Sequence, residues 1–260
     1  MTLLADKSDE DLLAEILDLP LDKQREALRL LEAIKLRERQ SRFFHTFPDE
    51  TGQYDGEVQY ARRLYAKHLE LIRAGATYRE RAFRAANRCG KTVTGSYEVT
   101  AHATGLYPDW WDGRRFRRRT KLWAAGKTNE TTRDIVQQQL CGNVITVGGK
   151  KRTDGTGMIP GWLLHNWSWR QGVADTLDSV SVRHVGGRPS KLGFKSYQQG
   201  RDAFEGTSRD VIWLDEEPPA DIYGECLMRT ATTNGLMLLT FTPLLGISEV
   251  VKDFMPKEED

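Results

Sequence analysis

The spacing of apolar side chains divides the chain into a helical beginning and a strand-rich remainder. Leu12, Leu13, Ile16 and Leu17 fall on one face of a helix. Ser8 stands where it can cap that helix, with Asp11 three residues later in a capping-box pattern. Pro20 breaks the run. A second helix carries Leu28, Leu31 and Ile34 within a heavily charged stretch and ends near residues 37–39. Residues 8–45 therefore read as a small helical hairpin that either packs on the main domain or docks a partner, and the pattern does not choose between the two. Phe43, Phe44 and Phe47 lead into a Pro-Asp-Glu-Thr-Gly turn at 48–52. The pattern then predicts a helix over 57–73, ended by Gly75.

From there short β-like runs alternate with helical ones, which predicts an α/β fold with a mostly parallel central sheet flanked by helices. The strand candidates are 82–86, 121–125, 180–185, 192–197, 211–214 and 236–241. Three segments follow from this reading: an N-terminal helical appendage (1–48), the α/β domain (49–246) and the start of a linker or lid (247–260). No internal repeat or low-complexity tract interrupts them.

Composition narrows the function classes. The chain has 260 residues, 39% hydrophobic and 29% charged, with a net charge of +1. A chain-wide polycation is excluded, so any nucleic-acid contact must use a local patch. The three cysteines, Cys89, Cys141 and Cys226, lie far apart. That argues against a disulfide framework or a zinc site and for a reducing, intracellular setting. No run approaches the roughly 18 apolar residues of a membrane helix, and the N-terminus lacks signal-peptide character. The expectation is a soluble protein with no membrane contact.

The chemistry lies in three strand ends. The segment Ala85, Ala86, Asn87, Arg88, Cys89, Gly90, Lys91, Thr92 fits the Walker A pattern, with alanine in the first position. An apolar strand enters it and a helix leaves. Gly90 permits a backbone path that turns N–H groups towards phosphate oxygens, and the new helix N-terminus favours negative charge. Lys91 would place its ammonium on the β and γ phosphates of ATP, and the Thr92 hydroxyl would bind Mg²⁺.

The second strand end is Val211-Ile212-Trp213-Leu214-Asp215-Glu216-Glu217. It delivers acids to the edge of the sheet where ligands bind in open α/β folds. Asp215 would hold Mg²⁺, and Glu216 would polarise the attacking water. Glu217 points elsewhere, towards a solvated or structural role. The third end, Leu238 to Pro243, carries Thr240 and Thr242, hydroxyls suited to sensing the γ-phosphate.

These residues resemble the large terminase subunits of tailed bacteriophages. The matching segments are 79–92, 105–116 with its Trp110-Trp111 pair, 194–206 with Tyr-Gln-Gln-Gly-Arg, 212–219 and 239–244; with their spacing they cover roughly 75–246. The resemblance implies a P-loop NTPase of the additional-strand class, with an extra strand between the two Walker strands. It also implies a coupling role for Thr240 and Thr242. Members of the family translocate double-stranded DNA into a procapsid, assemble as a ring on the portal protein and work with a small terminase subunit. That places them in the host cell cytoplasm, transiently at the portal. Many relatives carry an arginine four residues before the P-loop lysine; here Asn87 holds that position and Arg88 follows it. Arg88 would then serve the γ-phosphate in cis or face a neighbouring subunit, the alternative being a salt bridge or solvent exposure. Relatives continue into a nuclease domain, so a chain ending at Asp260 is expected to show no nuclease activity. The family's adenine-contacting glutamine has no clear equivalent.

Three weaker signals remain open. The run 114–121 packs six bases into eight positions; it is a DNA-phosphate contact, a source of arginine for a neighbouring site, or a solvated loop. Arg201 either responds to nucleotide state or forms a surface ion pair. Trp110 and Trp111 are expected to pack their loop onto the domain, and Trp162, Trp167 and Trp169 to pack in the core or at an interface. Competing with the packaging motor are another P-loop translocase or helicase, and a docking module that binds ATP with little turnover.

Overall fold

The computed structural model describes residues 14–243 and 246–255. The Ser8–Asp11 capping pattern, Leu12 and Leu13 lie outside them. Helix α1 (Leu21–Arg39) follows Pro20, and Leu21, Leu28, Leu30, Ile34 and Leu36 remain exposed along it. The short helix Arg42–His45 then turns the chain, so that Phe43 and Phe47 are buried against the main body.

Only the second half of the predicted helix over 57–73 forms as an α-helix. Residues 52–59 form a hairpin, β1 (Gly52–Tyr54) against β2 (Glu57–Gln59), and helix α2 covers only Ala66–Ala74. The cause is local: Asp55 and Gly56 both adopt left-handed φ (50° and 77°), the two-residue turn that matches the twist of paired strands. A second such turn, Gly148-Gly149, joins β5 (Val144–Val147) to β6 (Lys150–Thr153), a hairpin the apolar pattern does not reveal.

The central sheet has seven strands in the order β3-β11-β10-β4-β9-β8-β7. They are β3 (Glu80–Arg84), β4 (Lys121–Gly126), β7 (Leu164–Trp169), β8 (Leu177–Val182), β9 (Ser190–Ser196), β10 (Val211–Asp215) and β11 (Leu236–Phe241). The first five in spatial order run parallel; β8 runs antiparallel to β9, and β7 antiparallel to β8. The last-formed strand, β11, lies between the two strands that lead to the Walker motifs. This is the additional-strand arrangement of a P-loop NTPase.

Both faces of the sheet are covered, which is why β10 and β11 read as unbroken apolar runs. Helix α3 (Lys91–Thr104) lays Val99 and Ala103 on one face, against Leu122, Ala124, Trp213 and Leu238. Helix α4 (Ala220–Ala231) lays Ile222, Tyr223 and Cys226 on the other, against Trp123, Ile212, Leu214 and Met237. Gly95 lets α3 approach the sheet closely: a Cβ there would stand 2.4 Å from Nε1 of Trp213.

A third cluster fastens the N-terminal segment. Phe43 stacks on Tyr97 at 4.6 Å, Trp110 also stacks on Tyr97 at 5.9 Å, and Trp111 is buried beside them. The tryptophan pair thus packs its loop as expected. Trp162, Trp167 and Trp169 pack against the main core. Beneath this cluster Arg81 of β3 forms a buried, bidentate pair with Glu98 of α3, and His102 joins it at 3.2 Å. No helix among the described residues is long and apolar enough to cross a membrane.

Candidate nucleotide site

The parallel strands β3, β10 and β11 end on one edge of the sheet, and their C-terminal residues meet there. The loop after β3 turns through Arg88 (φ 64°) and Gly90 (φ 75°), then becomes α3 at Lys91. A side chain at Gly90 would be strained by that φ, and would meet His68 of α2 at 3.2 Å. Lys91 is buried, and its ammonium donates to the carbonyls of Ala85 (3.0 Å) and Ala86 (2.7 Å) and to the Thr242 hydroxyl (2.8 Å). Thr242 in turn reaches Ala85 O (3.0 Å) and Oδ1 of Asn87 (2.9 Å).

Thr92 and Asp215, distant in sequence, are adjacent in space. The threonine Oγ1 lies 3.3 Å from Oδ1 and 3.5 Å from Oδ2 of Asp215. Asp215 is also gripped from its own face of the sheet: Trp213 Nε1 donates to Thr240 Oγ1, and Thr240 donates to Asp215 Oδ1. Burial pushes the Asp215 carboxyl up to about 6, and the charge of Glu216 adds to this, against the hydrogen bonds from Thr240 and Thr92 and the charge of Lys91.

An alcohol beside a carboxylate is the hard-oxygen donor set that Mg²⁺ favours, and a buried carboxylate gains from a nearby cation. The residues fit a nucleotide-bound magnesium ion, with Thr92 and Asp215 as its holders. The loop fits a polyphosphate, because helix α3 opens on it behind a left-handed glycine and presents a lysine there.

Glu216 follows at the rim, half-buried and in the left-handed region (φ 66°). Its N–H donates to Thr240 O at 2.9 Å. Tyr197 lies under the same turn; burial, then the charges of Asp215, Cys226 and Glu216, hold its phenol well above its ordinary range, so it is a donor. Glu217 is half-buried, with one carboxylate oxygen lacking a hydrogen-bond partner among the described residues.

The family of the chain follows from its sequence matches. Residues 82–260 match the model of the family described as terminase large subunit, T4likevirus-type, N-terminal.

The chain belongs to this terminase family. It is 35% identical over 235 residues to the large terminase subunit of Salmonella phage P22, a match covering 84% of this chain and 46% of that protein. The chain thus spans less than half the length of this curated relative. Among solved structures, the HK97 bacteriophage large terminase aligns with a TM-score of 0.46 at 14% identity, over 79% of this chain and 37% of that one. The large terminase of thermophilic bacteriophage D6E, solved with ADP, aligns with a TM-score of 0.41 at 13% identity, over 68% and 37%.

Around this terminase site the arginines divide. Arg88 is exposed at the loop tip. Of the run 114–121, Arg114 bonds the Asn234 carbonyl and covers the Phe116 ring, Arg115 bonds Pro108 O and Trp111 O, and Arg118 pairs with Asp210 at 3.4 Å. Those three tie the loop down, while Arg117 and Arg119 are exposed. Arg201 forms an ion pair with the buried Glu225 at 3.0 Å.

The apolar pattern gives no hint of two further neighbours. His68 donates through Nε2 to the Cys89 carbonyl at 2.8 Å, bracing the loop at 85–92 from α2. Tyr197 stands in the Tyr-Gln-Gln-Gly-Arg segment, whose family resemblance was the one available signal.

Proposed function

We propose that the chain is the ATP-hydrolysing motor of a DNA-packaging terminase. In this reading ATP hydrolysis, dependent on Mg²⁺, drives double-stranded DNA through the portal protein into a procapsid. The partners are the small terminase subunit and further copies of the chain in a ring, in the host cell cytoplasm. The observation that carries the reading is the approach of Thr92 Oγ1 to Asp215 Oδ1 at 3.3 Å, with Lys91 on one side and Glu216 on the other.

Each residue has a task set by its place. The first N–H groups of α3 and the Lys91 ammonium bind and orient the phosphates. Thr92 and Asp215 hold the magnesium ion, which when bound neutralises charge on the phosphate oxygens. Glu216 accepts a proton from the attacking water and keeps it aligned. Thr242 links the Lys91 ammonium to β11, so movement of the lysine is felt by that strand. Thr240 holds Asp215. Exposed Arg88 is placed to add positive charge at the rim, in cis or to a neighbouring subunit.

The test is a pair of substitutions followed by an assay of movement. Glu216→Gln should keep ATP affinity and slow phosphate release about 100-fold or more. Lys91→Ala should lose affinity for a fluorescent ATP analogue. Near-normal turnover by the glutamine variant would reject Glu216 as the base. For movement, the chain joined to its packaging partners should strip a third strand from duplex DNA and leave the duplex paired; strand separation would make it a helicase instead.

A further inference from the structure

The Tyr-Gln-Gln-Gly-Arg segment has no task in the scheme above, yet it delivers one side chain under the site. Strand β9 ends at Ser196, where a 3₁₀ turn (Tyr197–Gln199) begins. The Ser196 N–H donates to the Gln199 side-chain oxygen at 2.9 Å, and the Ser196 hydroxyl bonds Asn129 at 2.8 Å. Gly200, at φ 77°, then turns the chain away. These bonds fix where Tyr197 starts, and its ring is buried beside Phe204.

The phenol reaches the turn after β10. Its Oη lies 2.9 Å from the Asp215 carbonyl and 3.0 Å from the Glu216 carbonyl. One buried O–H is shared by two successive peptide oxygens. The conformation at that point needs holding, because a residue with a Cβ at positive φ persists only when its surroundings over-determine it. At Glu216 the N–H is taken by Thr240 O, and both flanking carbonyls are taken by Tyr197. Pro218 holds Glu217 to extended conformations and so limits relaxation on the far side.

We propose that Tyr197 is a positioning residue for water activation: its hydroxyl pins the peptide on either side of Glu216 and so aims the Glu216 carboxylate. The proposal rests on the reading of Glu216 as the base. Loss of the hydroxyl would leave the ring packed and the two carbonyls without their buried donor. The turn would then relax towards negative φ and carry the carboxylate away from the water it aligns.

The test is Tyr197→Phe. Its kcat should fall about tenfold or more, with the affinity for an ATP analogue unchanged, since lost alignment acts on the reaction barrier and not on binding. A KM rise with wild-type kcat overturns the proposal. In a Glu216→Gln background the same substitution should cost nothing further, whereas independent, multiplying losses overturn it. A crystal structure of Tyr197→Phe supplies an arm that needs no turnover. Departure of Glu216 from the left-handed region supports the proposal, and a retained φ near 66° overturns it. Should Glu216→Gln hydrolyse ATP normally, the base assignment fails by itself, and the crystal structure still reports on the clamp.

Discussion

Thr240 donates its hydroxyl proton to Asp215 at 2.7 Å, and the direction of that bond is fixed by Trp213. The indole N–H can only donate, and it occupies the Thr240 oxygen at 2.7 Å. Thr240 is also the direct cross-strand partner of Asp215 in the register of β10 and β11. The carboxylate is therefore held by a relay that begins two residues earlier on its own strand.

Thr240→Val keeps the shape and removes the relay. It should cost about 1–3 kcal/mol, because a buried indole N–H loses its acceptor. A thermal melt should show a drop of a few degrees, with slower ATP turnover, and Thr240→Ser should restore both. Thr242→Val, nearer the surface and bonded to Lys91 instead, should melt close to wild type. Equal stability losses at the two positions would contradict the separate placements.

Gly95→Ala tests the contact between α3 and β10. Alanine is the better helix former by about 1 kcal/mol, so an open site would gain stability. Here the added Cβ would meet Nε1 of Trp213 at 2.4 Å and Cε2 at 2.5 Å. Overpacking costs about 1–3 kcal/mol, sometimes more, so the denaturant midpoint should fall. A rise would mean that helix and strand are not so close.

The buried Arg81–Glu98 pair makes stability depend on acid. Burial alone would raise the Glu98 carboxyl, but the Arg81 charge and the hydrogen bonds from His102 and Arg81 bring it down to about 2, from 4.5. A depressed carboxyl stabilises above its unfolded value, and that contribution is lost as pH falls from 4.5 through about 2. The urea midpoint of wild type should exceed that of Glu98→Gln at neutral pH, and the gap should narrow on acidification. A gap that does not change with pH would refute the ion pair. Arg81→Met should cost about 3–5 kcal/mol, since it strands a buried carboxylate.

Cysteine reactivity separates the phosphate loop from the core. Cys89 is exposed, whereas Cys141 and Cys226 are buried, and burial pushes the Cys226 thiol up to about 12. A maleimide should label the folded chain at Cys89 and abolish nucleotide binding, and bound ATP should slow the labelling. Labelling unaffected by nucleotide would remove Cys89 from the site.

The sequence is most readable where one chemical constraint acts on every residue of a stretch. Strands β10 and β11 are buried on both faces, so all their side chains are apolar up to the functional ends. The loop at 85–92 is legible because the Walker A pattern sets glycine, lysine and a hydroxyl at fixed spacing. The stretch 57–73 is misleading because its charged and apolar residues suit a helix, while two residues, Asp55 and Gly56, set a hairpin that ends at Gln59. Strand β5 (Val-Ile-Thr-Val) has no buried residue and β6 (Lys-Lys-Arg-Thr) is mostly charged and exposed, so no alternation marks them. Tyr197 and His68 act through hydrogen bonds to distant backbone, which leave no periodic trace. Thr240 and Thr242 look alike in sequence, and only their depth beneath α3 gives them different partners.

The place of β11 in the sheet has a kinetic meaning. The strand that joins β3 to β10 is made last of the seven, so the sheet cannot close until residue 241 has left the ribosome. Until then β3 and the apolar strand β10 expose unpaired edges, which invite association with other chains. Contacts between segments so far apart along the chain also form slowly. The order of synthesis therefore makes the nascent chain dependent on protection of the same strands whose ends later meet at the candidate site.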